Sequence, residues 1–279
     1  MAVLIRIDDP HDERLAPFRL RDRALNTRAD RRERVAAGMF VAEGDLVVKR
    51  ALDAGCTPVT AFVDADDPPA VVQRLGPDVS VYGAGVDVRR IGMGLGVPLS
   101  IVALFRRPGP LDASVVSSGR RVVALEAVDN PVNVGTVIRS AAALGWHGLL
   151  LDRTSADPLS RRALRVSMGT SFALPFARAH SFVDTITAVR EAGMLVVALT
   201  PDAGSMPLEG VLPASRQRVM LVVGSERTGL SPDVLAACSL HACIPMAGAV
   251  DSMNAAAAVA VACYALRPRL GHPGPFSSG

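Results

Sequence analysis

The sequence predicts an α/β protein: a mostly parallel sheet in the C-terminal part, preceded by a smaller α/β part. Three observations lead there. From residue 121 onward, short apolar runs alternate with segments of helical spacing, the pattern of a parallel sheet covered on both faces. The 279-residue chain is 49% hydrophobic and 20% charged, which supplies packed cores and excludes an intrinsically disordered chain. Charge is also unevenly spread. Residues 1–50 carry 11 Arg or Lys and 9 Asp or Glu, whereas Val234 to Leu266 contains one formal charge, Asp251.

The elements follow in order. Leu46–Ala54 has helical spacing, and Ala61–Val63 and Ile101–Leu104 read as strands, a small N-terminal α/β part over residues 1–107. Arg106-Arg107-Pro108-Gly109-Pro110 and the Ser-rich stretch to Gly119 read as a linker over 108–120. Val122–Glu126 is a buried strand. Val134, Val137, Ile138, Ala141 and Leu144 recur with helical spacing until Gly145. Leu149–Leu151 is a strand, Leu159–Val166 a helix, and Phe182–Ala192 a helix stopped by Gly193. Leu195–Leu199, Met220–Val223 and Ala242–Pro245 are strands, and an Ala-rich helix spans Ser252–Leu266. The second part thus covers 121–267, and 268–279 reads as a flexible tail.

Composition excludes several functions. Of the 30 basic residues only Lys49 is a lysine, and Val48 precedes it where a phosphate-binding G-x-x-x-x-G-K-[ST] loop needs glycine. A Schiff-base enzyme would have to be built on Lys49. Cys56, Cys238, Cys243 and Cys263 form no C-x-x-C pair, so they read as buried, reduced thiols of a cytosolic protein. The N-terminus turns acidic after its first apolar residues and does not read as a signal peptide. Ile244–Leu266 reads as a core segment, with Asp251 near its start, and not as a membrane span. No His and carboxylate cluster suggests a metal.

Open parallel sheets place chemistry at the carboxyl ends of their strands. Three segments leave such ends with unusual polar content. The first, Asp129 to Gly135, runs into a helix that carries Arg139 on an otherwise apolar pattern. Asn133 is a candidate cap for that helix. The second, Gly224 to Pro232, holds two glycines, Glu226 and the candidate cap Ser231 with Pro232 behind it. A purely structural turn does not need that Glu. The third, Ile244 to Asn254, crosses small residues into the last helix. Ser252 reads as its N-cap, which leaves Asn254 without a structural reason.

Together these segments resemble the signature motifs of the SPOUT methyltransferases, in the SpoU (TrmH-like) branch of RNA ribose 2′-O-methyltransferases. Asn130 through Arg139 fits N-P-x-N-x-G-x-x-x-R, Gly224 through Ser231 fits G-x-E-x-x-G-L-S, and Ile244 through Asn254 fits I-P-M-x-G-x-x-x-S-L-N with Met253 in place of Leu. Arg165 to Gly169 is similar to the intervening R-x-S-x-G element. Phe40-Val41-Ala42-Glu43-Gly44 resembles the E-G element of an RNA-binding α/β domain often fused in front. Two departures stand out: Ala255-Ala256 where Val-Ser is common, and Gly224-Ser225-Glu226-Arg227 where G-N-E-G is common.

The resemblance implies a deep trefoil knot, a homodimer and a bent S-adenosylmethionine. The small residues Ala247–Ala249 and Ala255–Ala258 suit tight backbone crossings. The implied cofactor-binding residues are Leu199, Thr200, Gly224, Ser225, Gly229, Ile244, Met246, Ser252 and Met253. The implied catalytic residues are Arg139, Asn133, Glu226, Ser252 and Asn254, with Arg165 and Arg227 as RNA phosphate contacts and the charged first 50 residues as an RNA-facing surface. Neutralising an arginine at pH 7 costs about 8 kcal/mol, so Arg139 is expected to act as a charged fork on phosphate and 2′-oxygen. Asn133, Ser252 and Asn254 would orient Arg139 and the ribose, and Glu226 would hold Arg139 or shape the pocket. The substrate implied is rRNA before tRNA. Two rivals are a catalytically inactive RNA-binding relative, motivated by Ala255-Ala256, and a class I methyltransferase using Gly92-Met93-Gly94-Leu95-Gly96. Arg89-Arg90 and Pro98 sit poorly around such a loop, which reads better as a flexible segment.

Overall fold

The computed structural model describes residues 4–20, 38–93, 97–202, 204–214, 216–247 and 253–267. The expected tail 268–279, Ser252 and the glycines at 94 and 96 lie outside these residues. The chain forms two compact units that do not follow chain order. The first comprises Met1–Leu111, Asn130–Arg139 and Ala156–Pro175, and the second Asp112–Asp129, Ser140–Ser155 and Phe176–Gly279. The helix Pro131–Ala143 therefore contributes to both.

In the first unit, strands β1 (Leu4–Arg6), β2 (Met39–Glu43), β3 (Pro58–Asp64), β4 (Ser80–Ala84) and β5 (Ile101–Arg106) form a sheet in the order β1-β4-β3-β5-β2. β5 is antiparallel to both β2 and β3, and the remaining pairs are parallel. Helices α1 (Ala16–Arg19), α2 (Asp45–Asp53) and α3 (Val86–Gly92) accompany it. Leu15, Phe18, Phe62, Met93 and Leu104 belong to its core, and Phe40 stacks on Phe105 with ring centroids 5.4 Å apart.

Gly92 is the last residue of α3 and not part of a loop. A Cβ there would stand 2.9 Å from the Phe62 ring, so the glycine permits packing. Arg89, which weighed against a nucleotide loop, is buried on this helix. It pairs with Asp64 and donates to the Leu99 carbonyl at 2.7 Å. The E-G element also has a physical basis. Gly44 has φ +82°, a left-handed conformation that glycine adopts without cost, and it opens α2.

In the second unit, strands β6 (Arg121–Glu126), β7 (Gly148–Leu151), β8 (Phe176–Arg178), β9 (Leu195–Leu199), β10 (Met206–Pro207), β11 (Val219–Gly224) and β12 (Leu240–Cys243) form an entirely parallel sheet. Their order is β10-β12-β9-β11-β6-β7-β8. The near-continuous apolar runs of β6, β7, β9 and β11 follow from burial on both faces. Residues 108–120 are not a plain linker: Asp112 caps helix α4 (Ala113–Ser117), and Val116 joins the core of the second unit.

Helix α5 (Pro131–Ala143) meets α6 (Arg161–Val166) inside the first unit. A Cβ on Gly135 would lie 2.6 Å from the Ala163 carbonyl oxygen, so this glycine sets how closely the two helices approach. The second unit continues with α7 (Phe182–Glu191), α8 (Pro232–Ala237) and α9 (Ala255–Ala265). Trp146 Nε1 donates to the Cys263 carbonyl at 3.1 Å, and the buried Arg121 donates Nε to the Leu266 carbonyl at 3.0 Å. Together they anchor the C-terminal half of α9. Burial pulls the Arg121 guanidinium below its usual range, with repulsion from Arg120 in the same direction.

Of the four thiols, Cys238 and Cys263 are buried, whereas Cys56 and Cys243 are only partly so. Among the described residues no helix is long and apolar enough to cross a membrane, and no His, Cys, Asp and Glu group could hold a metal ion.

The glycine at the helix crossing gives a direct test. Alanine is a better helix former than glycine by about 1 kcal/mol, but forcing a methyl against backbone costs about 1–3 kcal/mol. Gly135→Ala is expected to lower the urea midpoint of unfolding. An unchanged or raised midpoint contradicts the close crossing.

Candidate active site

The implied cofactor-binding segments leave neighbouring strands. β12 pairs with β9 and β9 with β11, all parallel, so the segments after Leu199, Gly224 and Cys243 emerge on one edge of the sheet. Thr200 is buried. Its N–H donates to the Ala242 carbonyl at 2.9 Å and its hydroxyl to Asp202 at 2.8 Å. Leu199 and Ile244 are half-buried, and Met246 and Ala247 are exposed. Half-buried and exposed apolar residues thus stand at this edge.

The loop after β11 folds on itself. A Cβ on Gly224 would fall 2.2 Å from the backbone of Gly229, so only glycine fits. Gly229 has φ +64°, and its N–H donates to the Ser225 carbonyl at 2.9 Å. The Ser225 and Thr228 hydroxyls lie 2.8 Å apart, which leaves Glu226 and Arg227 exposed at the tip. Ser231 caps α8 as expected, with its oxygen accepting from the Val234 N–H at 3.4 Å. The Glu126 carboxylate receives both the Ser231 N–H, at 2.9 Å, and its hydroxyl, at 2.7 Å. Sequence reasoning missed Glu126, since a Glu ending an apolar strand carries no motif.

Glu226 and Asn254 come together. Glu226 Oε1 accepts from Asn254 Nδ2 at 3.1 Å and from the Ala255 N–H at 3.2 Å. Asn254 Oδ1 in turn accepts from the N–H groups of Ala256 at 3.0 Å and Ala257 at 3.2 Å. Asn254, and not Ser252, is therefore the N-cap of α9, which begins at Ala255. Both residues have a structural reason that the sequence did not disclose. They satisfy the free donors at a helix start, and the Glu charge suits the positive end of the helix dipole. Met253 is half-buried beside the cap.

In the first unit, Asn130 and not Asn133 starts α5: its side-chain oxygen accepts from the Val132 N–H at 3.0 Å. Asn133 is buried within the first turn. Arg139 is exposed, and its Nη1 donates to the Val166 carbonyl at 3.4 Å. Both expected RNA-contacting arginines carry a carboxylate partner. Arg165 Nη2 lies 2.9 Å from Glu43 Oε2, and Arg227 Nη2 lies 2.5 Å from Asp129 Oδ2. The second pair is 76% and 58% exposed, so it contributes little and a phosphate can displace it.

Glu43 is buried and also holds Arg161, whose Nε donates at 2.6 Å. Asp152, at the end of β7, is a further buried carboxylate. Burial raises it, but the Ser155 and Thr154 donors outweigh burial and hold it below the usual carboxylate range. At the α9 cap, Asn254→Ala is expected to cost about 1 kcal/mol. Asn254→Asp keeps the acceptor for Ala256 and Ala257 and should melt closer to wild type, while placing like charge against Glu226. Equal thermal shifts for the two variants contradict the capping role.

Comparison with known proteins identifies the family of the chain. The model of the SpoU rRNA Methylase family matches residues 120–264. A protein described as an uncharacterized tRNA/rRNA methyltransferase of Mycobacterium bovis is 36% identical over 269 residues, 95% of this chain and 91% of its own length. The crystal structure of an AdoMet-bound rRNA methyltransferase from Sinorhizobium meliloti superposes with a TM-score of 0.76 at 29% identity, covering 94% of this chain and 97% of its own. That of an RNA 2′-O ribose methyltransferase superposes with a TM-score of 0.75 at 25% identity, with coverage of 94% and 97%. A family match over more than half of the chain, a relative aligned along nearly all of it and a shared parallel-sheet fold lead to one conclusion: this chain belongs to the SpoU rRNA methylase family.

Proposed function

We propose that the protein transfers the methyl group of S-adenosylmethionine to a ribose 2′-hydroxyl of RNA, ribosomal RNA in the first place, as a cytoplasmic homodimer. The observation that carries this reading is the exit of the segments after Leu199, Gly224 and Cys243 from adjacent parallel strands in a chain of this family. The residues suit the cofactor. Half-buried Leu199 and Ile244 and exposed Met246 offer apolar contact for an adenine, and Gly224 and Gly229 contribute backbone groups that carry no side chain of their own. Bound there, the cofactor supplies a methyl group on a cationic sulfur, open to in-line displacement.

The chain's own part is positioning and charge. Arg139 meets the phosphate and the developing 2′-oxyanion with a planar, permanently charged fork. Glu226 and Asn254 fix the start of α9, and Ser252 and Asn133 complete the proposed set. Ala255 and Ala256 contribute backbone N–H groups to Glu226 and Asn254. Replacing Val-Ser with Ala-Ala therefore leaves that arrangement intact, which favours an active enzyme over an inactive RNA-binding relative. The ribose 2′-oxygen as acceptor draws support from the structural relative of that activity, and the trefoil knot belongs to the same proposal. The Mycobacterium relative's description also names tRNA, which makes tRNA the second substrate to test.

Helix α9 supports the homodimer. Ala257, Val261, Tyr264 and Ala265 form an exposed stripe at helical spacing, with Val261 43% and Tyr264 59% exposed.

Arg139→Ala should abolish methyl transfer to rRNA from a strain lacking the gene, with cofactor affinity by calorimetry little changed. Arg139→Lys should fail as well, because a point charge does not reproduce the fork. Near-normal turnover in either variant sinks the assignment, and mapping of 2′-O-methyl groups in the same strain identifies the nucleotide. Val261→Asp should convert the protein to a monomer by light scattering; an unchanged mass removes α9 as the interface.

A further inference from the structure

Within the first unit, three arginines from three helices converge on one short turn. Arg165 lies in the last turn of α6. Arg139, on α5, donates to the carbonyl of Val166, the next residue, at 3.4 Å. Arg50, on α2, donates Nη1 to the carbonyl of Met168 at 2.6 Å. Val166 and Met168 are two residues apart, so the two carbonyls are separated by no more than about 7 Å of chain.

The turn is built for this approach. Met168 has φ +52° and Gly169 φ +79°, two successive left-handed residues. The first of these is a non-glycine residue in a conformation that side chains rarely adopt. A Cβ on Gly169 would stand 3.3 Å from both Arg50 Cδ and Val47 Cα, so the glycine lets α2 settle against the turn.

Glu43 is shared by Arg161 and Arg165. Among the described residues no carboxylate pairs with Arg50 or Arg139, so the two guanidinium groups that reach this turn's carbonyls do so without a counter-charge among those residues. Arg139 and Arg165 are exposed, and Arg50 is half-buried. A guanidinium carries five N–H donors. Arg50 spends one on the Met168 carbonyl, and the others remain for a ligand with several acceptor oxygens. A helix end needing only its carbonyls satisfied would be served by one such cation. Three forks around four residues fit a chain of phosphates.

We propose that Arg50, Arg165 and Arg139 form a phosphate track for the RNA substrate, with Arg50 gripping the phosphate of a nucleotide beside the one that is methylated. The proposal rests on the RNA methyltransferase reading above and adds to it a substrate contact from the N-terminal α/β part. It makes Arg50 a binding residue that sets affinity for RNA, with no part in the transfer itself.

The test uses the full chain and rRNA isolated from a strain lacking the gene, with binding measured across salt concentrations. Arg50→Met keeps the apolar stem against Gly169 and removes the charge. Its plot of log affinity against log salt should be shallower than wild type by about 0.7–0.9, the value of one phosphate contact. The KM for RNA should rise while kcat, cofactor affinity and melting temperature stay close to wild type. Arg165→Gln should flatten the plot by a similar amount, and the double variant by the sum. If Arg50→Met does not fold, Arg50→His reads the same quantity. Its slope should match wild type well below the imidazole pKa of about 6.5 and fall above it.

A folded Arg50 variant with the wild-type slope, or a change in melting temperature alone, overturns the track. Wild-type protein that neither binds nor methylates the RNA overturns the methyltransferase reading. Wild-type methylation with unchanged variant slopes overturns only this inference.

Discussion

The segments proposed to serve the reaction in the second unit hang from one constraint, the parallel register of β12, β9, β11 and β6. Parallel pairing points all four carboxyl ends to one edge, which is where loops of an open α/β sheet gather around a ligand. β9 and β11 are buried on both faces, and it is close packing on each face that holds this register. A slip by one residue would turn every side chain to the opposite face. With the register fixed, Thr200, Gly224 and Ile244 have little freedom in where their backbones begin. The local chemistry only has to shape what leaves the edge.

Two of the shaping devices are backbone contacts and two are polar. Gly224 against Gly229 and Gly135 against Ala163 are approaches that any side chain would block. Glu126 on Ser231 and Glu226 on the start of α9 use carboxylates to satisfy helix N-termini, where donors are otherwise orphaned. In the first unit, the buried Glu43 is compensated by Arg161 and Arg165. Such a carboxylate is costly unless paired and hydrogen-bonded. The abundance of arginine thus includes members with distinct duties. Arg121 and Arg89 are buried and Arg161 half-buried, all donating to carbonyls or carboxylates, whereas Arg50, Arg139 and Arg165 keep donors available at the surface.

Much of this was legible from residue order. The long apolar strands of the second unit and the helices between them appear within a few residues of their expected places, because burial on both faces writes an unbroken apolar run. The short strands β1, β4, β8 and β10 carried no such signal: they are two to five residues long, and β1 and β10 are exposed. The motif residues were visible, but their local roles were not. Asn130 rather than Asn133 starts α5, and Asn254 rather than Ser252 caps α9, because the true start of a helix depends on which amide donors tertiary structure leaves free. Glu226 looked superfluous to a turn, since its structural partner lies 28 residues away. Gly92 misled for a related reason: a glycine that packs on Phe62 looks, in sequence, like one that bends a loop.

The closed loop between Gly224 and Gly229 has a consequence for how such an enzyme diversifies. Its ends are locked by backbone against backbone, so its outline does not depend on what stands at the tip. Position 227, whose only partner among the described residues is the exposed Asp129, can change chemistry without renegotiating the fold. This chain places Arg227 there, where the signature it resembles carries glycine. The loop behaves as a fixed frame with an interchangeable fitting, so the contact chemistry at its tip can be exchanged while the strand edge it springs from stays in place.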